Sequence, residues 1–332
     1  MAGPRFQLAT LVAEPPEGPE WIHEIKLDGY RLLGRIERGR VRLETRNGLD
    51  WTDRFPGVAG ALAKLPVRSA LVDGEAVVFD AHGKSRFSAL QAALGRAGIG
   101  VDVHFALFDC LALEGRDLRR KPLLERKEAL RKLVSRAKSP LLHYSDHVIG
   151  DGAAFFAAAC RSGVEGIVSK RADAPYRAAR TRAWLKVKCS KRQEFVIVGF
   201  TEPSGSRVGL GALLLAVNDA DGALRFAGKV GTGFDGKTLA ALRAKLARLE
   251  RARAPVADPP RSAGLHWVAP RLVAEISFTE WTRDGKARHP VFLGLREDKA
   301  PADVRVESPD LAVESPAPPG KGRRRRRSAA PS

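Results

Sequence analysis

At 332 residues the chain is long enough for two domains of ordinary size, and a hydrophobic content of 44% suffices for two buried cores. Lys and Arg total 57 against 38 Asp and Glu, and the resulting formal charge of +19 points to a polyanionic partner: nucleic acid fits, with an anionic membrane surface as the alternative. There is no apolar run of about 18 residues and the segment Met1 to Arg5 lacks the apolar core of a signal peptide, so membrane-spanning and secreted classes are excluded and a cytoplasmic protein is expected.

Trp21, Ile22 and Ile25 mark an apolar strand running into the cluster Glu24-Ile25-Lys26-Leu27-Asp28-Gly29-Tyr30-Arg31. Lys26 is the candidate covalent nucleophile. A free lysine has a pKa near ~10.4, so at neutral pH roughly one in a few thousand is uncharged and able to attack phosphorus. The apolar strand on one side and the Asp28-Gly29 turn on the other would supply partial desolvation and close backbone approach to a phosphate. Apolar alternation over 31–36 and 41–46, flanking 37–40, predicts a hairpin, with Lys26 at a strand start. Residues 71–79, 104–113, 166–170 and 183–189 read as further strands, and 121–137 and 152–161 carry helical spacing. That alternation predicts an α+β domain with mostly antiparallel sheets, whose strand ends bring Lys26, Glu75, Phe108, Glu165, Lys186 and Lys188 to one cleft.

Around residue 190 the character changes. Short β runs at 194–201, 212–218, 224–229, 272–278 and after His289, broken by Gly and Pro, predict a small Greek-key barrel. A helix over 238–251 followed by a Pro-rich connection at 255–261 matches a five-stranded OB-fold with an inserted helix, a nucleic-acid platform. The expected division is 1–190, 191–307 and a basic tail, 308–332, with a hinge at 189–193. The tail, rich in Pro, Ala and Gly and carrying Arg323 to Arg327, has nothing with which to build a core and is expected to be disordered. Cys110, Cys160 and Cys189 are widely spaced, with no Cys-x-x-Cys pair, and are expected to be buried thiols rather than a disulfide framework or a zinc site.

Five further clusters follow the Lys26 segment in fixed order: Thr45-Arg46-Asn47-Gly48, Val72-Asp73-Gly74-Glu75, Phe105-Ala106-Leu107-Phe108-Asp109, Glu165-Gly166-Ile167-Val168-Ser169-Lys170 and Trp184-Leu185-Lys186-Val187-Lys188. Each alone has an ordinary reading: a solvated basic strand face, a core aromatic, a surface ion pair. Their order resembles the nucleotide-binding motifs of the covalent nucleotidyltransferases, the superfamily of DNA ligases, RNA ligases and mRNA capping enzymes. Near the far end, Arg296-Glu297-Asp298-Lys299 is similar to the Arg-x-Asp-Lys motif of polynucleotide ligases. The resemblance runs from Pro4 to Val306, and 45–55, 165–177 and 231–234 are most similar to the ligase module of bacterial end-joining DNA ligases.

The resemblance implies an adenylation domain followed by an OB-fold domain, ATP and Mg²⁺ (with Mn²⁺ as a substitute), nicked or broken duplex DNA as substrate, a Ku-like end-binding partner, and a monomeric, nucleoid-associated bacterial protein. Lys26 would attack the α-phosphate. Lys186 and Lys188 alternate with Leu185 and Val187, which puts both ammonium groups on one strand face, suited to that phosphate. By resemblance Glu75 addresses the ribose or a metal and Glu165 the metal; two carboxylates plus phosphate oxygens and waters satisfy Mg²⁺. Phe108 corresponds to the adenine-stacking position, with Phe105 on the opposite or a parallel face depending on bulges. Glu24 would accept from the adenine amine and repel the guanine carbonyl, favouring ATP over GTP and a ligase over a capping enzyme. Arg31 and Arg46 match arginines that contact the ribose or a DNA 5′-phosphate. Arg296, Asp298 and Lys299 would orient pyrophosphate once the second domain closes. His23 is a further pocket candidate. The rivals are an RNA ligase or capping enzyme and a non-catalytic nucleic-acid-binding relative; five intact candidates, Lys26, Glu75, Glu165, Lys186 and Lys188, argue against the latter.

Overall fold

The computed structural model describes residues 6–95, 102–203, 209–262 and 264–307; the expected disordered tail lies outside the described residues. The first domain is built on two sheets. One has the order Leu8–Leu11, Arg180–Lys188, Gly166–Arg171, Trp21–Ile25, Val148–Ile149. The other runs Arg40–Thr45, Tyr30–Glu37, Ser69–Val77, His104–Leu113, Arg116–Asp117, with Leu142–Tyr144 beside His104–Leu113. The pairings are antiparallel except Leu8–Leu11 on Arg180–Lys188 and Leu142–Tyr144 on His104–Leu113. The expected hairpin closes through Arg38 and Gly39, both at positive φ (51° and 78°), as a two-residue loop needs to match strand twist. Lys26, however, lies one residue beyond the end of Trp21–Ile25, in the loop before Tyr30–Glu37, instead of at a strand start.

Two predicted helices are present, Leu123–Val134 and Gly152–Arg161. On Leu123–Val134 the buried face is Leu123, Arg126, Lys127, Leu130 and Leu133, so two cations hold positions that helical spacing would give to apolar side chains. The short helices Pro56–Ala63 and Phe87–Gly95 are additional.

In the second domain the sheet order is Leu224–Val230, Leu213–Asn218, Arg192–Thr201, Leu265–Ser277, Glu250–Arg251, and Val291–Leu295 also pairs with Leu265–Ser277. This is the expected OB-fold domain around one apolar core; among the described residues no ladder joins Leu224–Val230 to Val291–Leu295, so the barrel is left open on that side. The strand predicted at 272–278 begins earlier, at Leu265; the register jumps between Ile197 opposite Leu272 and Gly199 opposite Trp267, so the segment containing Pro270 bulges out and costs no ladder bond. The helix predicted at 238–251 is Gly236–Ala247, capped by Asp235, whose carboxylate accepts from the Thr238 N–H at 2.7 Å. Glu250–Arg251 pairs instead with Val268 and Trp267.

Cys160 and Cys189 form a disulfide, Cα atoms 5.3 Å apart, joining the helix Gly152–Arg161 to the chain as it leaves Arg180–Lys188. This corrects the expectation of three free thiols: the helix packs on Gly166–Arg171, and the neighbouring strand Arg180–Lys188 delivers the second cysteine across a sequence separation of 29. Only Cys110 is a buried thiol, pushed up to about 12 by burial. Among the described residues no helix is long and apolar enough to cross a membrane.

Candidate active site

Between the two domains lies a cavity of about 440 Å³, lined by Glu24, Lys26, Arg31, Arg46, Glu75, Phe108, Glu165, Lys186, Lys188, Arg296, Asp298 and Lys299. Residues spread over most of the chain thus face one space. His23 does not line it; its ring is buried, with Nδ1 bonded to the Ser169 hydroxyl at 2.8 Å.

The Lys26 backbone N–H donates to the Gly166 carbonyl at 2.9 Å, and its ammonium donates to Glu165 Oε2 at 2.6 Å. Glycine is needed on both sides of this contact. A Cβ on Gly29 would fall 2.1 Å from the Ala76 carbonyl oxygen; one on Gly166, at φ 155°, would fall 2.0 Å from that of Val187. The Asp28 carboxylate, expected beside Lys26, is held by Arg192 at 2.9 and 3.3 Å, so the acid in contact with the lysine comes from 139 residues downstream. Arg192 also binds Glu275 of the second domain at 2.8 Å and lies 4.0 Å from Glu165. Burial, with the Glu165 charge adding to it, raises the Asp28 carboxyl above its ordinary range.

On Arg180–Lys188 the period of two places Lys186 and Lys188 on one face, and both bind the carboxylate of Glu307, at 2.5 and 2.7 Å. Burial, reinforced by Lys188, pushes Lys186 down to about 8. The same alternation includes Trp184, unassigned from sequence, whose ring meets Phe108 edge-on at 6.0 Å. Bulges in the pairing of Ser69–Val77 with His104–Leu113 leave Phe105 in the apolar core and Phe108 on the cavity wall. The Lys170 ammonium stands 4.3 Å from the Phe108 ring centroid and 4.4 Å from that of Trp184, and burial pushes it down to about 8.

Glu24 lines the cavity, but its carboxylate is already the centre of a buried cluster, bound by Lys127 at 2.8 Å, Lys170 at 3.0 Å and the Ser145 hydroxyl at 3.0 Å. Of its roughly four acceptor positions these leave one for a base amine. Arg31 is likewise committed, in a bidentate pair with Asp73 at 2.6 and 2.9 Å. Arg46 lines the cavity half-buried.

The second domain reaches the cavity through Val291–Leu295 and the turn after it. Gln91 on Phe87–Gly95 donates to the Leu295 carbonyl, Asn47 donates to that of Asp298 at 3.0 Å, and Arg54 pairs with Glu297 at 2.7 Å. Arg296 binds Asp298 through two 2.8 Å bonds and Glu275 at 2.8 Å, while Lys299 pairs with Glu194 at 2.9 Å.

The family model described as "ATP dependent DNA ligase domain" matches residues 7–188, and that of the "ATP dependent DNA ligase C terminal region" matches 206–299. The chain belongs to the ATP-dependent DNA ligase family. It is 46% identical over 308 residues to the multifunctional non-homologous end joining protein LigD of Pseudomonas aeruginosa, covering 91% of this chain and 36% of that protein. A probable DNA ligase of Streptomyces coelicolor is 35% identical over 312 residues, covering 87% of this chain and 58% of the relative. Among solved structures, a mycobacterial DNA ligase D complexed with ATP and MES superposes with a TM-score of 0.65 at 35% identity, covering 91% of this chain and 98% of that one. The chain spans about a third of the length of the end-joining relatives it matches.

The family's use of ATP raises the question of a divalent cation. Among the described residues no group of three or more His, Cys, Asp or Glu is arranged to hold one. Two of the carboxylates that do line the cavity, Glu75 and Glu165, are oxygen donors. Burial pushes the Glu75 carboxyl up to about 7, against the pull of Lys26, Arg296 and Arg31, so a cation beside it would relieve an unfavourable buried charge. Two carboxylates fit Mg²⁺, which takes most of its ligands from water and substrate phosphate.

Proposed function

We propose that this chain joins DNA strands: Lys26 attacks the α-phosphate of ATP, the AMP passes to a DNA 5′-phosphate, and a 3′-hydroxyl displaces AMP to form the phosphodiester. The observation that carries this reading is the convergence of Lys26, Glu165, Lys186 and Lys188 on one cavity at the domain junction. The Lys26 ammonium first gives a proton to Glu165, 2.6 Å away; its nitrogen then bonds to phosphorus as the bond to pyrophosphate breaks, and the second nitrogen proton leaves with the pyrophosphate. Lys186 and Lys188 bind the non-bridging α-phosphate oxygens, where negative charge concentrates. Phe108 offers its ring to adenine, and Glu24 its remaining acceptor position to the adenine amine. Glu75 and Glu165 would hold Mg²⁺, which would neutralise phosphate charge. Arg296 and Lys299 attract the departing pyrophosphate, and Arg46 faces the ribose or the DNA 5′-phosphate.

The substrate is nicked or broken duplex DNA, and the working state is a monomer recruited by a Ku-like end-binding protein in bacterial double-strand break repair. The end-joining names of the relatives support that pathway. Incubation with α-labelled ATP and, separately, with GTP tests the reading. A labelled, acid-labile protein band with ATP alone is expected; labelling by GTP would favour a capping enzyme, and no band with either would favour a non-catalytic binder.

A further inference from the structure

We propose that Glu307 is a built-in occupant of the phosphate subsite, a carboxylate that nucleotide phosphate must displace before Lys186 and Lys188 can receive it. The inference rests on the reading of those two lysines as phosphate ligands. Glu307 bridges both, at 2.5 Å and 2.7 Å, in the manner of two oxygens of one phosphate. Burial alone would raise the Glu307 carboxyl, and Lys186 and Lys188 overcome that and pull it down to about 2. The pair of contacts is therefore a charged one.

The segment carrying Glu307 is held by the second domain. The Asn218 amide donates to the Val304 carbonyl at 2.8 Å and to that of Pro301 at 2.7 Å. The Glu307 N–H donates to the Gln193 side-chain oxygen at 3.0 Å, and Lys188 makes a second bond, 2.6 Å, to the Arg192 carbonyl. The carboxylate thus crosses from one domain to the phosphate face of the other. An anionic ligand entering that face has to break both ion pairs, and Glu307 then returns to solvent. Adenosine, which carries no phosphate, has no need to do so.

A site blocked by its own side chain about nine-tenths of the time binds its ligand about tenfold more weakly than an open one. Calorimetric affinities for ATP and adenosine, compared between wild type, Glu307→Gln and Glu307→Asp, read this directly. Glu307→Gln should tighten ATP about tenfold, leave adenosine unchanged, and lower the KM for AMP-adduct formation with kcat unaltered; Glu307→Asp should stay near wild type. Gln193→Ala, which frees the segment without removing charge, should tighten ATP in the same direction and covers the case of a poorly folding Glu307 variant. Unchanged or weaker ATP binding in Glu307→Gln overturns the proposal, as does equal tightening of adenosine. If wild type binds ATP but forms no labelled adduct, the ligase reading fails, and the affinity comparison still decides the role of Glu307.

Discussion

In the first domain, charge runs through the interior: Glu24 with Lys127 and Lys170, Asp73 with Arg31, and Asp109 with Arg126, the last pair with both side chains 0% exposed. The interior of the second domain is a single apolar cluster from Phe195 to Val304, and its buried charges Glu275 and Asp298, with the half-buried Glu194 and Arg296, gather at the edge that lines the cavity. Burying ion pairs costs desolvation that mutual attraction only partly offsets, and what a satisfied pair provides is fixed geometry. Two of the first-domain pairs, at Glu24 and Arg31, stand in its cavity wall and fix the geometry of that wall. The second domain is an apolar slab that presents its charges at one rim, an arrangement suited to docking and leaving as a unit.

The sharpest break of this contrast is Lys26→Ala, expected to abolish the AMP adduct and nick sealing while DNA binding persists, since no other group forms the phosphoramidate. An adduct in that variant would remove the assignment. Next in size, Asp109→Ala leaves Arg126 buried without its carboxylate and should cost about 3–5 kcal/mol in urea denaturation. Pairing Asp109→Leu with Arg126→Met should restore most of that loss; no recovery would mean that the pair stabilises and does not merely position. Arg296→Ala and Lys299→Ala should slow adenylation roughly 10- to 100-fold while largely sparing the sealing of DNA that already carries a 5′-AMP, which bypasses the first step. Equal losses on both substrates would point to a folding or DNA-binding defect.

The smallest expected effect is in pH. Lys186 faces Lys188 and Glu307, and because its folded pKa is depressed to about 8 it is charged below that value and neutral above it. The KM for ATP should therefore rise as pH increases through about 8, with the transition absent in Lys186→Arg. A flat KM across that window would show that Lys188 alone binds the phosphate.

Period-two alternation made the hairpin and His104–Leu113 readable in the sequence, because their burial alternates or is complete over local stretches. The motif order named the residues that line the cavity, since spacing along the chain survives without coordinates. What alternation and order do not carry is which charge meets which. Asp28 sits two residues from Lys26, yet it belongs to Arg192, and the acid on the lysine is Glu165. Glu307 lies outside every motif, and only the return of its segment along Asn218 brings it to Lys186. Cys160 and Cys189 have no spacing signature, because adjacency comes from helix Gly152–Arg161 packing on a sheet. Helical spacing revealed Leu123–Val134 but not that Arg126 and Lys127 share its buried face, since their partners Asp109 and Glu24 come from distant strands. Pro56–Ala63 and Phe87–Gly95 are too short, and too rich in Ala and Gly, to show a stripe.

The parallel pairing of Leu8–Leu11 with Arg180–Lys188 has a consequence for biosynthesis. The strand Leu8–Leu11 leaves the ribosome well before Arg180–Lys188, the neighbour it pairs with. At elongation rates of about 5–20 residues per second, the interval between them is about ten to forty seconds. Throughout that time Leu8 and Leu11 have no ladder partner, and Trp21–Ile25 lacks Gly166–Arg171. Nascent-chain protease digestion should find the strand Leu8–Leu11 cleavable until Lys186 has cleared the exit tunnel and protected thereafter. Lys186 and Lys188 are thus carried by the strand that completes the sheet, and the first-domain wall of the cavity comes into existence only when that domain is finished.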